Sequence, residues 1–432
     1  MKHIIFWHRR DLRLFDNAGL FHALQAGLPV IPIFIFDKNI LDKLPKNDLR
    51  VVFIHQMIEA MQQKLISLGS SMQVFYGNPK QVFEALLTKY EVEAVYTNAD
   101  YEPYARQRDA DIADVLQKKG VDFCVHKDHV ICEKYEVLKD DQKPYTVFTP
   151  YKNKWLKTVT DDFFVQYDHE KVQKNYYKSE AVAIPSLTEM GFEAQNVVFA
   201  QPEINEKIIE LYAQQRDFPA IKGTTRLSMH LRFGTVSVRQ LAVVAKRLSE
   251  TWLNELIWRD FYAMIIYHFP HSAQAAFRPA YDKIPWRDAP QDFALWCAGK
   301  TGYPLVDAGM RELNATGFMH NRVRMVVASF LTKHLLLDWR LGEAYFAQKL
   351  LDFELASNVG GWQWAAGSGC DAAPYFRVFN PMEQAKKFDA KGEYVRKWVP
   401  EIDGFGYVAP MVEHSFARNR AIDTYKKELS AG

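Results

Sequence analysis

The first 130 residues alternate short runs of β-branched and aromatic residues with longer amphipathic stretches. This alternation is typical of a parallel sheet whose strands are joined by crossover helices. We therefore predict a doubly wound α/β domain over residues 1–130, with a crevice at the carboxyl ends of its strands where the strand order reverses. The predicted strands are His3–Trp7, Val30–Phe36, Met72–Tyr76, Ala94–Asn98 and Asp122–His126.

The amphipathic stretches between these runs predict helices near Arg50–Leu68, Pro79–Lys89 and Pro103–Lys118. Proline is favoured in the first turn of a helix, where its missing N–H costs no hydrogen bond. Pro79 and Pro103 are therefore expected to open the second and third of these helices.

The second half of the chain has a helical rhythm throughout, from residue 201 to about residue 390. Residues 131–200 lack clear periodicity and are interpreted as a long connector that packs on the surface of both halves. Residues 201–432 are predicted to form an all-α domain with a short polar tail after Val399. The predicted helices are Asn205–Arg216, Ser237–Ser249, Trp252–His268, Tyr303–Thr316, His320–Leu336 and Gly342–Leu351.

Composition sets limits on the class of protein. The 432 residues are 48% hydrophobic and 25% charged, which suits two or three globular domains. The aromatic share of 14% is high and fits a large aromatic core or a site for flat ligands. A net charge of +2 excludes a protein that coats DNA by charge alone but allows a local basic patch.

The chain also lacks the signals of a secreted, membrane or zinc protein. The N-terminal apolar run is too short for a signal peptide, and stretches such as Leu28–Phe36 fall short of the roughly 20 residues that cross a bilayer. We expect a soluble, cytoplasmic monomer without a membrane partner or a metal. The cysteines have no zinc spacing and are predicted to be free thiols in a reducing compartment: Cys124, Cys132, Cys297 and Cys370.

Two apparent nucleotide motifs do not meet their requirements. The GKT sequence at residues 299–301 resembles the end of a phosphate-binding loop, but Ala294 stands where that loop needs glycine. The glycines at residues 360–369 do not form the dinucleotide fingerprint. His320 has no metal-ligand partner at helical spacing and is interpreted as a structural or hydrogen-bonding histidine.

Three stretches of the helical half are unusually polar and aromatic. The sequence GTTRLS at residues 223–228 suits a phosphate at a helix start, although an N-cap with a surface arginine would look the same. In WLNELIWRDFY, the residues Glu255, Trp258, Arg259 and Tyr262 share one helix face. That face suits a heteroaromatic ligand, or a surface Glu–Arg pair over a buried Trp.

The third stretch runs from Asn321 to Trp364. Asn321, Arg324 and Met325 share a face, whereas Asp352 and Glu354 are two apart and fit a helix end or turn. Asn358, Trp362 and Trp364 follow around the pair Gly360-Gly361, and paired glycines allow a backbone to approach a ligand closely. Together the three stretches predict a flat, polar, phosphate-bearing ligand inside a helical bundle, either a flavin or a nucleotide.

These stretches resemble the DNA photolyase/cryptochrome family over nearly the whole chain, and most of all its class I cyclobutane pyrimidine dimer photolyases. The resemblance implies light-driven repair of pyrimidine dimers in DNA by electron transfer from excited reduced FAD. The dimer would be flipped out of the duplex. The matching segments are WHRRDLRLFDNAGL, VFTPYKNKW, GTTRLSMHLRFGTVS, WLNELIWRDFY, GYPLVDAGMRELNATGFMHNRVRM, DWRLGE and NVGGWQWAAGSGCDAAPYFRVFNP.

The resemblance also implies roles for individual residues. Glu255 and Asn358 would act at the reaction centre, with Asn358 facing flavin N5 and Arg324 paired with Asp352. Trp362, Trp339 and Trp286 match the tryptophan chain that re-reduces the flavin. The FAD-binding set would be Tyr212, Thr224, Thr225, Arg226, Leu227, Ser228, Trp252, Glu255, Arg259, Asn321, Arg324, Asp352, Phe353, Glu354 and Asn358.

A second set of residues would contact DNA or the lesion. The arginines and the glutamine of this set would contact the DNA backbone, and the others would contact the lesion together with Glu255. The set is Arg216, Trp258, Asn321, Arg322, Met325, Trp364, Arg377 and Gln384.

Two departures from the family pattern affect the prediction. Glu354 stands where many members have Asp, and its longer carboxylate is still expected to accept from flavin N3–H. Tyr104 and Ala105 stand where members that bind a folate antenna carry Asn-Glu. The sequence therefore allows a deazaflavin, another flavin or no second chromophore.

Three alternatives remain at the level of sequence. A cryptochrome without repair activity is the main one, although Asn358 favours repair. An enzyme for (6-4) photoproducts would carry histidines where this chain has Asn321 and Met325. An electron-transfer flavoprotein would show no preference for damaged DNA.

Overall fold

Five parallel strands near the beginning of the chain form one sheet, in the order β3-β2-β1-β4-β5, which confirms the predicted α/β fold. The computed structural model describes residues 1–430. Every residue of β2 is buried, as expected for a parallel strand covered on both faces. The strands are β1 His3–His8, β2 Val30–Asp37, β3 Gln73–Gly77, β4 Val92–Asn98 and β5 Asp122–His126.

All three helices predicted for this half are present as crossover helices. Pro79 and Pro103 each open a helix, as their position in the pattern predicted. Two short helices were missed; the first begins after Asn17, whose side chain accepts from the Leu20 amide. The helices are α1 Ala18–Gln25, α2 Lys38–Leu41, α3 Leu49–Ser67, α4 Pro79–Lys89 and α5 Pro103–Gln117.

The predicted connector contains more regular structure than its aperiodic sequence indicated. It holds one helix, α6 Phe148–Thr158, and three 3-10 turns at Asp161–Phe164, His169–Lys171 and Gln173–Asn175. Within α6, Phe148, Tyr151 and Trp155 are buried. The spacing of these three residues at i, i+3 and i+7 is helical, so the signal for α6 was present but short.

The remainder of the described chain is helical. Its 3-10 turns are Pro270–Ala273, Pro279–Lys283 and Pro400–Asp403, and a π-helix covers Phe330–His334. The α-helices are α7 Glu206–Glu210, α8 Tyr212–Gln215, α9 Ser228–Phe233, α10 Val238–Leu248, α11 Glu250–His268, α12 Pro290–Cys297, α13 Pro304–Thr316, α14 Asn321–Ser329, α15 Trp339–Lys349, α16 Leu355–Ala366, α17 Pro381–Phe388, α18 Glu393–Trp398 and α19 His414–Ser430.

Three predictions for this half need correction. The helix predicted over Asn205–Arg216 is two short helices, because the chain turns at Leu211. The helix predicted over His320–Leu336 stops being α-helical at Ser329 and continues as the π-helix. The tail, expected to be short and polar, contains the 17-residue α19, which buries Ala417, Ala421 and Tyr425.

The described chain forms two compact units that interleave along the sequence. The first unit consists of Met1–Glu133, Lys157–Ile204 and Leu227–Val244, and the second of Lys134–Leu156, Asn205–Arg226 and the chain from Ala245 onward. The domain limits placed at residues 130 and 200 stay a prediction. The core of the second unit is rich in large side chains, among them Trp296, Phe330, Trp339, Phe346 and Trp362.

Two further features bear on the class of protein. No helix within residues 1–430 is long and apolar enough to span a membrane. The four cysteines are free thiols, as predicted.

A buried ion network joins distant segments of the first unit. Arg13 Nη2 lies 2.6 Å from Asp128 Oδ2, and Arg239 Nη2 lies 2.7 Å from Asp128 Oδ1. Arg239 also reaches Asp16, with 3.0 Å between Nε and Oδ1. Burial alone would raise the pKa of Asp128, but the two guanidinium groups outweigh it and hold the pKa well below its usual range.

We predict that Asp128→Asn destabilises the protein by about 3–5 kcal/mol, because it leaves two buried arginines without their carboxylate. Urea unfolding followed by circular dichroism measures the change. The folded-state pKa of Asp128 is depressed, so its stabilisation is present at neutral pH and is lost as the pH falls through that pKa. Asp141→Asn is the control, since that side chain is 55% exposed and a change below about 0.5 kcal/mol is expected. Equal unfolding midpoints for the two variants would contradict the prediction.

Candidate active site

Helix α11 presents the polar and aromatic face that the sequence predicted. Glu255, Trp258, Arg259 and Tyr262 are all half-buried. Leu256, Ile257 and Phe261, which lie between them in the sequence, are buried and anchor the helix. The helix therefore holds four chemically distinct side chains on one rigid surface.

Two further aromatic rings pack close to Trp258. Phe148 of α6 lies parallel to Trp258, with ring centroids 3.6 Å apart and 5° between the planes. Tyr262 also lies near Trp258, with ring centroids 5.4 Å apart and 30° between the planes. Helix α6 is fixed in place by the Trp155 indole N–H, which donates to Asp260 at 2.9 Å. Sequence reasoning missed Phe148, although the segment VFTPYKNKW that contains it resembled the family.

The two paired glycines have different surroundings in α16. A Cβ at Gly360 would lie 2.3 Å from the ring of Tyr262, so this glycine is required for α16 to pack on α11. A Cβ at Gly361 would meet no described heavy atom within 4 Å outside its own helix backbone. Close approach is therefore needed at Gly360, where a protein side chain occupies the space next to the backbone.

Two arginine–carboxylate pairs lie near the start of α16. Arg324 Nη2 lies 2.8 and 3.1 Å from the two oxygens of Asp352, which confirms the predicted pairing. Arg259 Nη2 lies 3.1 Å from Glu354 Oε1, and the Ser357 hydroxyl donates to Glu354 Oε2 at 3.2 Å. Asp352 lies in a turn and Glu354 is the N-cap residue of α16, as their spacing indicated.

Asn358 is oriented by a carboxylate that the sequence did not single out. Its amide nitrogen donates to the Glu343 side chain at 2.8 Å and to the Glu343 carbonyl at 3.2 Å. Burial raises the pKa of Glu343, and the hydrogen bond from Asn358 opposes that effect. Glu343 on α15 thus fixes the side-chain orientation of Asn358 on α16.

The three predicted chain tryptophans belong to one apolar core. Trp339 and Trp362 are buried in it, and Trp286 packs against it from a partly exposed position. Trp362 fits against Gly342, where a Cβ would come within 2.1 Å of its ring. Trp296, which the sequence did not assign to the chain, lies 6.1 Å from Trp362 between ring centroids.

The GTTRLS segment leads into a helix, as predicted, since α9 begins at Ser228 directly after Leu227. Arg226 adopts a positive φ of 55° and extends an exposed guanidinium. Its charge lies 4.3 Å from the Phe318 ring centroid and 4.0 Å from Glu312. Thr224 and Thr225 are half-buried.

The remaining cofactor candidates occupy different elements of the second unit. Tyr212 opens α8, with its ring centroid 5.4 Å from the Arg216 guanidinium. Trp252 is buried in α11. Phe353 packs against the core beside Glu354.

Two of the arginines assigned to DNA are paired with carboxylates. Arg216 Nη1 lies 2.5 Å from Glu255 Oε1, and Arg322 Nη2 lies 2.7 Å from Asp217 Oδ1. Asp217 was missed because nothing in the sequence distinguishes it from any surface acid.

The other DNA and lesion candidates lie at or near the surface of the second unit. Asn321 and Arg377 are exposed, and Met325 is half-buried. Arg377 lies 6.0 Å from the centroid of Trp364. Gln384 is half-buried, and its carbonyl oxygen has no hydrogen-bond partner among the described residues.

His320 has the structural role that the sequence indicated. It is the N-cap residue of α14, and its Nδ1 accepts from the Arg322 amide at 3.2 Å. Burial lowers the pKa of His320 to about 4, so the ring is neutral at pH 7 and can accept this hydrogen bond. Within the described chain, no group of three His, Cys, Asp or Glu residues could hold a metal ion.

Comparisons with known proteins cover both halves of the chain. A family model described as DNA photolyase matches residues 4–170, and one described as the FAD binding domain of DNA photolyase matches residues 252–406. A deoxyribodipyrimidine photo-lyase of Synechococcus sp. is 36% identical, over 99% of this chain and 97% of its own. The chain belongs to the DNA photolyase family.

Solved structures agree with this membership. A bacterial class III photolyase from Agrobacterium tumefaciens superposes with a TM-score of 0.89 at 30% identity, covering 99% of this chain and 98% of its own. An archaeal photolyase from Sulfolobus tokodaii, solved with two FAD molecules, gives a TM-score of 0.81 at 32% identity, covering 98% of this chain and all of its own. The subclass of the present photolyase-family chain stays a prediction.

The second unit fits FAD in the chemistry of its side chains. Asp352, Glu354 and Asn358 supply hydrogen-bond acceptors of the kind a flavin ring needs, and each is held by a neighbouring side chain. Arg226, with Thr224 and Thr225, supplies donors for phosphates. The residues present therefore match the cofactor named by the family model.

We predict that Gly360→Ala destabilises the protein by about 1–3 kcal/mol, because the added methyl group overlaps the Tyr262 ring. Gly361→Ala is the matched control in the same helix. It should be neutral or stabilising by up to about 1 kcal/mol, because alanine is the better helix former. Thermal unfolding followed by circular dichroism distinguishes the two, and a lower midpoint for Gly361→Ala than for Gly360→Ala would refute the packing argument.

Proposed function

We propose that this protein binds FAD and uses blue light to split cyclobutane pyrimidine dimers in DNA. The observation that carries the proposal is full-length similarity to deoxyribodipyrimidine photo-lyases, such as the 36% identity to the Synechococcus protein. Further support comes from the arginine–carboxylate pairs of the second unit, which orient several of the residues that we assign to the cofactor and the lesion.

FAD, when bound and reduced, supplies the light-driven electron that opens the cyclobutane ring. Arg324–Asp352 and Arg259–Glu354 would hold the flavin ring, and Asn358 would present its amide to the flavin N5 side. Thr224, Thr225, Arg226, Leu227 and Ser228 would hold the phosphates, with Tyr212, Trp252, Asn321 and Phe353 completing the cavity. The protein contributes orientation and a dry, polar environment, because the cofactor supplies the chemistry.

The aromatic face of α11 would receive the flipped lesion. Trp258, backed by Phe148, offers a flat apolar surface, and Trp364 and Met325 would close the other side. Stacking on such surfaces offsets part of the cost of taking a base pair out of the helix. Glu255 would hydrogen-bond the lesion carbonyls, where charge develops during ring opening.

The outer surface would hold the DNA backbone. Arg216, Arg322, Arg377 and Gln384 are the candidate contacts, and phosphate contacts by arginine provide affinity that falls with salt. Damaged DNA is the proposed partner, bound by a monomer. The free thiols suit a cytoplasmic enzyme, because that compartment keeps cysteines reduced.

A second chromophore is a separate part of the proposal. Tyr104 donates to Asp37 at 2.6 Å, and Ala105 is buried. Neither supplies the side chains of the folate-type pair at these positions. The proposal is therefore a deazaflavin, another flavin or no antenna at all.

The decisive experiment is a light-dependent repair assay. The FAD-loaded, reduced protein is mixed without oxygen with an oligonucleotide that carries one thymine cyclobutane dimer, and a dark sample is the control. We expect loss of the dimer under blue light alone. If a protein with bound, reduced FAD left the dimer intact, the proposal would fail, and an oligonucleotide with a (6-4) photoproduct would be tested next.

We predict that Trp362→Phe slows the photoreduction of oxidised FAD at least tenfold and leaves repair by pre-reduced enzyme nearly unchanged. The indole is the proposed first electron donor, whereas repair starts from flavin that is already reduced. Flash photolysis and the repair assay measure the two rates.

Trp296→Phe is the matched control, because Trp296 is equally buried in the same core. It should leave photoreduction at the wild-type rate. Equal slowing in both variants would refute the assignment of Trp362 to the chain.

A further inference from the structure

Arg216 has one observed partner, Glu255, and one proposed partner, a DNA phosphate. In the structure it pairs with Glu255, at 2.5 Å between Nη1 and Oε1. Both side chains are partly accessible, 29% for Arg216 and 34% for Glu255, so an incoming molecule can reach the pair. The proposed function assigns Arg216 to a DNA phosphate and Glu255 to the lesion, so a bound phosphate would compete with Glu255 for the guanidinium.

The neighbouring residue strengthens this point. Asp217 pairs with Arg322, which lies 4.4 Å from the ring of Phe388 and is itself a candidate phosphate contact. Arg216 and Asp217 therefore carry opposite charges. Arg216 is paired with Glu255, which the proposed function assigns to the lesion, and Asp217 is paired with Arg322, which it assigns to DNA. A bound phosphate would compete with carboxylates at both positions.

Several titratable and charged groups surround Glu255, and they act in different directions. Burial raises the pKa of the Glu255 carboxyl, Arg216 lowers it, and Asp217 raises it. On the other elements packed against α11, most charges are paired away from Glu255: Lys152 with Glu250, Asp260 with Trp155, and Arg259 with Glu354. Tyr212 and Tyr262 also interact electrostatically with Glu255, and Cys370 and Asp371 lie close enough to interact with Tyr262. Arg216 is thus the group that opposes the rise in the pKa of Glu255 that burial causes.

We propose that binding of DNA transfers Arg216 from Glu255 to a backbone phosphate, and that Glu255 then takes up one proton and donates its O–H to a lesion carbonyl. The inference rests on the proposed function. The guanidinium keeps its charge throughout, the carboxylate takes its proton from solvent, and each bound lesion therefore adds one proton to the complex.

The physical reason is the cost of an unpaired carboxylate at a site that the lesion covers. Once Arg216 leaves and water is displaced, the charged form loses both its partner and its hydration, and protonation relieves this cost. An ionised carboxylate can only accept hydrogen bonds, whereas the protonated form donates one. A donor is what the carbonyl oxygens of a pyrimidine dimer require, most of all when they gain negative charge. Arg216 is therefore a positioning residue that acts through Glu255.

The direction of the pH dependence follows from this exchange. The pKa of Glu255 is higher in the complex than in the free protein, so binding is favoured at lower pH. Between the two pKa values the affinity should fall by up to about tenfold for each unit of rising pH, which corresponds to one linked proton.

The test is calorimetry of the FAD-loaded protein in the dark, with an oligonucleotide that carries one thymine dimer. Titrations in buffers of different ionisation enthalpy, from pH 5.5 to 8.5, give the number of protons taken up. We expect uptake that approaches one proton for the wild type. Glu255→Gln should bind without this proton, because its amide does not titrate. Arg216→Gln should bind more weakly and take up fewer protons, because without Arg216 the pKa of Glu255 is already higher before DNA binds.

Matched controls come from the exposed ion pair Arg396–Asp403, in which Arg396 Nε lies 2.8 Å from Asp403 Oδ2. Arg396→Gln and Asp403→Asn should retain wild-type proton uptake. Equal uptake by the wild type and Glu255→Gln at every pH would overturn the inference. A wild type that binds undamaged and damaged oligonucleotides equally would instead overturn the proposed function, so the two failures are distinguishable.

Discussion

Four arginines of the second unit are each paired with a carboxylate, and the candidate site is built around these ion pairs. The pairs are Arg216–Glu255, Arg259–Glu354, Arg322–Asp217 and Arg324–Asp352. A partly buried charge without a partner is costly, so pairing with a carboxylate stabilises each arginine in the absence of the ligands that we propose for this site. Glu354 and Asp352 are less exposed than Glu255 and Asp217. The first two pairs are therefore better suited to a ligand that stays bound, and the other two to a ligand that exchanges.

Precise packing of helices gives these pairs their fixed positions. Gly360 lets α16 approach Tyr262 of α11, and Gly342 lets α15 receive Trp362 of α16. Each contact leaves less room than a methyl group needs, so the helices have little freedom to slide. Glu343 then orients Asn358 across the same α15–α16 interface. The residues proposed to handle the flavin therefore depend on small side chains that carry no chemistry themselves.

The sequence predicted much of the fold and the composition of the site but few of its contacts. All five strands were found because short runs rich in β-branched and aromatic residues alternate with amphipathic stretches along this half. Helices α1 and α2 were missed because they are short, whereas α6 and α19 were missed because each buries only three residues in an otherwise polar segment. The α11 face was readable, since its four residues lie within two turns of one helix. Glu343 and Asp217 were not, because their partners are 15 and 105 residues away and long-range pairing leaves no local signal.

The same pairing limits what the charge of the protein can say about its partner. A net charge of +2 is small for a protein that would hold DNA through several arginines. An arginine that is paired with a carboxylate adds no net charge to the surface of the free protein, whereas an unpaired arginine adds one positive charge. If the arginine moves to a phosphate and the carboxylate takes up a proton, the proton neutralises the carboxylate that the arginine has left. Affinity for damaged DNA would then depend on pH as well as on salt, and a lesion that engages Glu255 would be bound more tightly than undamaged DNA that engages the arginines alone.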